Sequence, residues 1–284
     1  MEERIRTEIA AFVRESPENR FPGSAAPYFD EPLVGFAAAS DPLFLEYKRI
    51  IGDFHRMPDE VLQSACGPGA PAATVISWVL PITKATRESN RPETRFPSRA
   101  WAQTRHFGEL FNAALRRHLV AWLGRLGERA VAPQLAGGWQ EFAETPVGIA
   151  STWSERHAAY AAGLGTFSLN DALITPKGIA HRTGSVITTL QLMPTPRPYP
   201  HFRHNCLYYR EGSCALCVGR CPAGALTRDG HDKSACSVYV YRTAVAAVAG
   251  DYGVSATGCG LCQTKVPCEG GIPQGRGAAE KGER

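Results

Sequence analysis

The stretch Cys214-Ala-Leu-Cys217-Val-Gly-Arg-Cys221-Pro222 decides how the C-terminal part of this chain folds. A second pair of cysteines follows in Cys259-Gly-Leu-Cys262. The 284-residue chain holds nine cysteines, and eight of them lie between positions 206 and 268. The ninth, Cys66, lies alone and is predicted to be a packed or partly exposed thiol. Such dense thiols predict either a disulfide framework or a metal-binding segment.

The bulk properties of the chain favour metal binding over disulfide bonds for the cysteines, because they indicate a globular protein in a reducing compartment. Hydrophobic residues make up 44% of the chain and charged residues 20%, which is typical of a globular protein. The formal charge of +4 is weak, so we expect neither nucleic acid nor a membrane surface as a partner. No apolar run approaches the roughly 20 residues of a membrane span. The first residues, Met-Glu-Glu-Arg-Ile-Arg, contain no apolar signal region, so a cytoplasmic protein with reduced cysteines is expected.

The cysteine spacing predicts iron–sulfur chemistry. Cys-x2-Cys-x3-Cys-Pro matches the second half of the bacterial ferredoxin motif, in which the cysteine before proline ligates the other cluster. A four-iron cluster needs four thiolates, so eight cysteines predict two [4Fe–4S] clusters. By the crossover rule the first predicted ligand set is Cys206, Cys214, Cys217 and Cys268. The second predicted ligand set is Cys221, Cys236, Cys259 and Cys262.

Two positions depart from the ferredoxin pattern. Glu211 occupies the place of the usual first cysteine, so Cys206 has to reach in from upstream. Cys268 follows Cys262 after a longer gap and comes after Pro267 instead of before a proline. Each lost cysteine has a nearby substitute, which favours a rebuilt ligand set. Two zinc sites, or one cluster and one zinc site, remain as alternatives, although zinc ribbons do not need the Cys-x3-Cys-Pro step.

The residues before the cysteines carry the patterns of an α/β or α+β sandwich. Apolar periodicity predicts helices over 1–15, 42–55, 58–65, 99–129 and 153–164. Apolar runs rich in β-branched residues predict strands over 73–82 and 184–192. Ser151 or Thr152 is expected to cap the helix that begins at 153, and Gly163 and Gly165 to end it.

A run of prolines marks the predicted domain boundary. Four prolines occur between Pro194 and Pro200, a density that interrupts both helix and central strand and indicates a stiff linker. We therefore predict a cofactor and substrate domain over 1–195 and a cluster domain over 196–284. The glycine-rich end from Gly270 is expected to be a mobile tail.

A resemblance to a known family rests on three blocks. SERHAAYAAGLG at 154–165 is followed by LNDALI at 169–174 and GSVI at 184–187. With the strand near Val75 before them and the cysteines after, these blocks resemble the epoxyqueuosine reductase family, which is related to reductive dehalogenases. The resemblance implies an α+β chain: a nitroreductase-like α/β sandwich domain followed by a bacterial two-[4Fe–4S] ferredoxin-like domain. It also implies a corrinoid, cobalamin, that the clusters reduce to Co(I); a flavin is the alternative cofactor.

One position departs from the family pattern. Epoxyqueuosine reductases carry an acid, in an Asp-x-x-Pro context, that protonates the epoxide oxygen; the corresponding residue here is Ile149. Glu144, just before Thr145-Pro146, is a shifted counterpart. We therefore expect a relative that acts on another small organic or nucleoside-like molecule instead of epoxyqueuosine. The candidate proton donors are Tyr160, Glu144 and Asp171.

The candidate cofactor-binding residues come from the same blocks and the loop before the second strand. They are Glu155, Arg156, Gly163, Gly165, His181 and Arg182. Glu155 and Arg156 have an equally simple explanation as charges at the start of a surface helix. His181 and Arg182, predicted in a loop, would form a cationic lip for an anionic substrate or a corrinoid side chain.

The sequence therefore predicts an iron–sulfur oxidoreductase that relays single electrons through two clusters to a cofactor in the N-terminal domain. Reduced ferredoxin or flavodoxin is the expected electron donor, and a small molecule is the expected substrate. The alternative is an electron-transfer or activator protein that reduces the corrinoid or metal centre of a partner.

Overall fold

A computed structural model describes residues 1–69 and 71–275. Its helices are α1 (Glu2–Glu15), α2 (Pro42–Ile51), α3 (Pro58–Cys66), α4 (Lys84–Asn90), α5 (Arg99–Arg125), α6 (Glu155–Ala161), α7 (Leu207–Glu211), α8 (Leu216–Gly219), α9 (Lys233–Val238) and α10 (Ala244–Tyr252). Its strands are β1 (Leu33–Ala38), β2 (Thr74–Pro81), β3 (Ala130–Val131), β4 (Glu141–Phe142), β5 (Ala150–Ser151), β6 (Thr166–Phe167), β7 (Leu173–Ile174) and β8 (His181–Thr188). The tail predicted from Gly270 falls, from position 276 onward, outside the described residues.

A four-stranded antiparallel sheet forms the centre of the N-terminal part, in the order β1-β2-β8-β3. Every residue of β2 is buried, as the apolar run over 73–82 predicts. Trp78 and Ile76 of β2 face α1 and α5, and Val75 and Val79 face α2, α3 and α6. Since successive side chains of a strand point to opposite faces, helices cover both faces of the sheet. The prediction of a mixed helix and strand sandwich is confirmed.

Four predicted elements differ in their bounds: the helices predicted over 42–55, 99–129 and 153–164 end at Ile51, Arg125 and Ala161, and the strand predicted over 184–192 is shifted. β8 begins at His181 instead of 184, because Pro81 and Leu80 of the long β2 pair with His181 and Arg182. The prediction that these two residues lie in a loop is therefore wrong. β8 also ends at Thr188 instead of 192.

The start of α6 also differs from the sequence-based prediction. Ser154 is the N-cap residue, so the expectation of a cap at Ser151 or Thr152 is wrong. Ser151 pairs in β5, and the Thr152 hydroxyl accepts a hydrogen bond from the Gln140 amide at 3.1 Å. The Ser151 hydroxyl donates to the Trp153 carbonyl at 2.7 Å, so both side chains have other partners before the helix begins. Gly163, at φ 76°, follows the helix as predicted.

The proline-rich segment lies against the sheet. The Thr195 amide donates to the Phe36 carbonyl at 2.8 Å, and its hydroxyl accepts from the Phe36 amide at 2.9 Å. Arg197 donates to the Ala161 carbonyl at 3.0 Å. The linker thus covers the edge of β1, a strand that the sequence patterns missed. The boundary between 195 and 196 stays a prediction.

After the linker the chain forms the short helices α7 and α8 and then α9 and α10, which a π-helical segment at Tyr239–Thr243 joins without a break. The described part of this segment has one isolated β-bridge, between Leu226 and His231. Its ferredoxin-like arrangement stays a prediction. Among the described helices, none is long and apolar enough to cross a membrane.

Candidate functional site

Four cysteines form what we call the first thiol group: Cys206, Cys214, Cys217 and Cys268. Burial, together with the neighbouring Cys206 and Cys214, raises the pKa of Cys217 to about 11. Burial also raises the pKa of Cys268, and the same neighbours act on it. All four residues line one small cavity. The group has the membership of the first predicted ligand set.

The second thiol group consists of Cys221, Cys236, Cys259 and Cys262. Burial raises the pKa of Cys259 to about 11, with further contributions from Cys236 and Cys221. Burial and the thiols around it raise the pKa of Cys262 well above the usual value. All four residues line a cavity of about 300 Å³. Cys217 also acts on Cys262, so the two groups are neighbours.

The thiols of each group do not converge on one point. Within residues 1–69 and 71–275, no three His, Cys, Asp or Glu side chains are placed to hold a single metal ion. In a zinc site each sulfur lies about 2.3 Å from the metal, which brings the sulfurs within about 4 Å of one another. Thiolates around a four-iron cluster lie further apart, because each one binds a different iron.

Arg220 fixes the second thiol group to the N-terminal part. Its guanidinium donates to the carbonyl oxygens of Leu261 at 3.1 Å and Thr264 at 3.2 Å, both in the cysteine loop. It also donates to the Glu93 carbonyl at 2.8 Å, beyond α4. The fork of guanidinium donors suits several carbonyl acceptors at once. Cys221, the next residue, is held in place by this arrangement.

Main-chain contacts bring both thiol groups against the segment before β8. The Ile179 amide donates to the Cys268 carbonyl at 2.9 Å. The Asn170 side chain donates to the Cys262 carbonyl at 3.0 Å. The cysteine segment is therefore packed directly beside the block of residues 169–174, one of the blocks that carry the family resemblance.

The cavity of the second thiol group adjoins another of about 400 Å³, and we call the two together the cleft. Trp139, Trp153 and Glu155 line the outer cavity. Several polar residues line both cavities, and we call them the neck: Arg105, Arg156, His181, Arg182, Tyr241 and Gln263. The neck separates the thiols from the two tryptophans.

A polar stripe on α5 faces the cleft and β8. Its residues recur at intervals of four, three and four, which places them on one side of a helix. They are Arg105, Glu109, Asn112 and Arg116. Asn112 accepts a hydrogen bond from Trp78 Nε1 at 2.9 Å and donates to the Thr183 carbonyl at 2.9 Å. The stripe is thereby tied to the central sheet.

A buried ion network lies behind the neck. The side chain of Arg116 is 1% exposed and contacts Glu109 at 2.9 Å and Glu155 at 3.3 Å. Arg182 donates from Nε to Glu109 at 2.9 Å. Burial alone would raise the pKa of Glu109, but Arg182 and Arg116 hold it at about 2. Glu155 differs, because burial raises its pKa and Arg116 counters this only in part.

His231 connects the second thiol group to a predicted proton donor. Its Nδ1 lies 3.0 Å from Asp171 Oδ2, and the ring also hydrogen-bonds Cys236. Burial alone would lower the pKa of His231, but these two partners raise it to about 9. His231 also lines the inner cavity of the cleft.

The structure brings four of the predicted cofactor residues together in the cleft: Glu155, Arg156, His181 and Arg182. Gly163 and Gly165 instead pack against backbone, since a Cβ there would lie 2.5 Å from the Pro196 oxygen and 2.6 Å from the Ile174 oxygen. These close backbone contacts require glycine at both positions, so the two glycines need no bound ligand to explain them.

The predicted proton donors are dispersed. Tyr160 packs on Phe167, with ring centroids 5.8 Å apart, and does not line the cleft. Glu144 is exposed after β4 and also lies outside the cleft lining. Asp171 alone contacts a residue of the cleft lining, His231. The catalytic roles of all three stay predictions.

Sequence reasoning missed several functional candidates, namely Arg105, Glu109, Arg116, His231 and Trp139. The signal for three of them was present: charged residues recur with helical spacing along one side of the long helix over 99–129. For His231 no local pattern exists, because its two partners come from distant parts of the chain.

The fold and its cleft define a class of protein that other structures share. No protein-family model matches the sequence, and no curated protein sequence matches it significantly. The structure of epoxyqueuosine reductase from Streptococcus thermophilus aligns with 97% of this chain and 68% of its own, at a TM-score of 0.50 and 16% identity. An epoxyqueuosine reductase in complex with a tRNA-Tyr epoxyqueuosine-modified stem loop also aligns with this structure, at a TM-score of 0.51 and 19% sequence identity. The alignment covers 96% of this chain and 66% of the reductase chain.

Reductive dehalogenases share the fold as well. A catabolic reductive dehalogenase in complex with 3-bromo-4-hydroxybenzoic acid aligns with 95% of this chain and 37% of its own, at a TM-score of 0.53 and 13% identity. The chain thus spans about two thirds of the epoxyqueuosine reductases and just over a third of the dehalogenase. It has the fold of epoxyqueuosine reductases and reductive dehalogenases, and the resemblance predicted from the sequence is confirmed at the level of fold.

Proposed function

We propose that this chain is an iron–sulfur oxidoreductase that passes single electrons to a group bound in the cleft. The observation that carries the proposal is that the second thiol group and the neck line the same cavity. An electron donor held by Cys221, Cys236, Cys259 and Cys262 would border directly on any ligand in the cleft. The fold shared with two classes of reductase supports the same reaction type.

Each thiol group is assigned one [4Fe–4S] cluster. The membership of the groups supports this assignment, because each contains four cysteines in the order that the crossover rule requires. The Cys-x3-Cys-Pro step supports a cluster over zinc, because zinc ribbons do not need it. Reduced ferredoxin or flavodoxin would deliver electrons to the first cluster, which lies beside the second.

Cobalamin is the cofactor that the resemblance implies, and the cleft residues fit a corrinoid. Glu155 Oε2 and His181 Nδ1 are buried and lack a hydrogen-bond partner among the described residues, and the peripheral amides of a corrinoid would supply partners. Trp139 and Trp153 offer apolar surface beside them. When bound, a corrinoid supplies low-valent cobalt as a nucleophile or reductant. A flavin is the alternative cofactor.

The substrate is proposed to be a small organic or nucleoside-like molecule other than epoxyqueuosine. Ile149 stands where the family has its acid, and Glu144 lies outside the cleft lining. Asp171 lies beside the cleft and helps to keep His231 protonated, so the imidazolium of His231 is the candidate proton donor that lines the cleft. Because one structure of similar fold holds a tRNA stem loop, the sequence-based expectation of no nucleic-acid partner loses its support, and an RNA-borne substrate becomes a second candidate.

Anaerobic reconstitution with iron and sulfide tests the cluster assignment. We expect about eight irons per chain in the native sequence and in Cys66→Ser, since Cys66 belongs to neither group. Cys206→Ser and Cys236→Ser each remove a ligand from one group, and we expect each to lose the EPR signal of one cluster. Eight irons retained in Cys206→Ser would contradict its assignment, and bound zinc with no EPR signal would overturn the proposal.

A titration of the reconstituted protein with cob(II)alamin tests the cofactor. A base-off Co(II) EPR signal is expected if the cleft binds the corrinoid. An unperturbed spectrum at micromolar cobalamin would contradict the corrinoid while leaving the clusters in place. The same titration with a flavin then separates a flavin enzyme from the alternative function, a protein that reduces the metal centre of a partner without holding a cofactor itself.

A further inference from the structure

The neck of the cleft contains more positive charge than its neighbours neutralise. Arg105, Arg156 and Arg182 line both cavities, and Arg116 lies behind them. The carboxylates that contact this set are Glu109, paired with Arg116 and Arg182, and Glu155, paired with Arg116. Both carboxylates are therefore already paired, and neither forms an ion pair with Arg105 or Arg156 in the described part of the chain.

Arg105 has no carboxylate of its own. Its Nη2 contacts only the Tyr241 hydroxyl at 3.4 Å, and no ion pair joins it to an acid among the described residues. The charge of Arg182 is the main influence that lowers the pKa of Arg105, followed by burial. Two neighbouring guanidinium groups in a partly buried site repel each other, and an anion between or beside them would relieve that repulsion.

Arg156 is the second unpaired cation. It donates from Nη1 to the Asp171 carbonyl at 2.9 Å. The Asp171 carboxylate, which the charge of Arg156 also influences, forms its ion pair with His231 instead. It is exposed and lines both cavities, so a ligand entering the cleft can reach it. Glu141, on the wall of the outer cavity, is exposed and forms no ion pair with either arginine in the described structure.

The unpaired charge of the neck faces the ligand space, because Arg105 and Arg156 line both cavities of the cleft.

We propose that Arg105 and Arg156 form an oxyanion site at the neck of the cleft, which selects substrates or cofactors that carry a carboxylate or phosphate group. Planar guanidinium groups pair with either group through two parallel hydrogen bonds. An oxyanion held there would anchor its molecule between the second thiol group and the tryptophans of the outer cavity. The assignment rests on the proposed function, of which it names the ligand class.

The test is calorimetric titration of the anaerobically reconstituted full chain with inorganic phosphate, against chloride at equal ionic strength. We expect saturable phosphate binding, and at least a tenfold loss of affinity in Arg105→Gln and in Arg156→Gln. Arg105→Lys and Arg156→Lys keep the charge and should recover part of the affinity. Arg117→Gln is the matched control, because Arg117 is exposed on α5 and lies outside the cleft lining.

Two further arms separate the sources of the anion. If the phosphate of a corrinoid nucleotide loop occupies the site, cobalamin should abolish phosphate binding and cobinamide, which lacks that loop, should not. If the substrate occupies it, phosphate should still bind in the presence of cobalamin. Equal affinity for phosphate in Arg105→Gln, Arg156→Gln and Arg117→Gln, or no binding beyond that of chloride, overturns the proposal. Iron content and EPR of the same samples report on the clusters independently.

Discussion

His231 donates a hydrogen bond from Nδ1 to Asp171 Oδ2 at 3.0 Å. The same imidazole also hydrogen-bonds Cys236, a member of the second thiol group. The ring therefore lies between a carboxylate and a proposed cluster ligand. Hydrogen bonds to cluster sulfurs are one of the means by which a protein sets the reduction potential.

Removing this imidazole should lower the potential of the second cluster. In His231→Ala the thiolate of Cys236 loses a donor that stabilises the more negative, reduced cluster. One hydrogen bond to a charged group contributes about 1.5 kcal/mol, which for a one-electron couple corresponds to a shift on the order of 60 mV. Redox titration followed by EPR measures it. Asp171→Asn, which keeps the imidazole, should give a smaller shift, and identical potentials in all three proteins would refute the role.

Mutation of Glu109 should destabilise the folded protein, because Glu109 is the shared carboxylate of the buried ion network. Glu109→Gln leaves Arg116 and Arg182 without their shared carboxylate, and Arg116 is 1% exposed. Breaking a buried pair in this way costs about 3–5 kcal/mol. Thermal unfolding of the reconstituted protein should show a midpoint lower by roughly 10 °C. Glu46→Gln, which removes an exposed pair with Arg49, is the control and should shift the midpoint very little.

Two enclosed histidines should make the protein less stable in mild acid. Burial lowers the pKa of His157 to about 3 and that of His55 to about 4, so both are neutral in the folded chain at pH 7. Further influences on these two histidines come from Arg156, Lys233, Asp171, Lys48 and Glu60.

The unfolded chain binds protons at these histidines below about pH 6.5, and the folded chain does not until about pH 4. Stability therefore falls as the pH drops through this window. In His157→Gln the slope of unfolding free energy against pH should decrease by up to about 1.4 kcal/mol per pH unit. Urea denaturation at pH 5, 6 and 7 measures this slope. His201→Gln, at an exposed residue, should leave it unchanged, and an unchanged slope in His157→Gln would count against a neutral buried imidazole.

The fold could be predicted from the sequence where a periodic pattern was long. The helix over 99–129 and the strand over 73–82 were confirmed because burial imposes an uninterrupted pattern on α5 and β2. β1 was missed, although it pairs with β2 from Thr74 to Val79, because its six residues include Gly35 and give little signal. Gly35 is required there, since a Cβ would lie 2.2 Å from the Ala162 oxygen.

The site was predictable only in part, for a different reason. The cysteine groups follow from a local motif, so their membership could be written from spacing alone. The neck depends on contacts between α5, β8 and α6, which local patterns do not encode. His181 and Arg182 were chosen as charged loop residues; their place beside the cleft comes instead from the pairing of β8 with the end of β2.

The turn between Cys259 and Cys262 offers a direct test of how the second thiol group is positioned. Gly260 has φ 66°, and a Cβ at this position would lie 1.9 Å from the Trp101 ring. Gly260→Ala must therefore displace either the turn or the ring of Trp101, which is buried in the core. We expect this variant to lose the second cluster and keep the first, at about four irons per chain.

Gly212 is the matched control for this prediction. It has φ 65°, and a Cβ there would meet no atom within 4 Å. Gly212→Ala carries the same left-handed strain of about 1 kcal/mol but no clash, so it should retain about eight irons. Iron and sulfide analysis with EPR spin quantification compares the two variants. Equal cluster content in Gly260→Ala and Gly212→Ala would show that contact with Trp101 does not position the second thiol group, and that the turn holds its thiolates by backbone conformation alone.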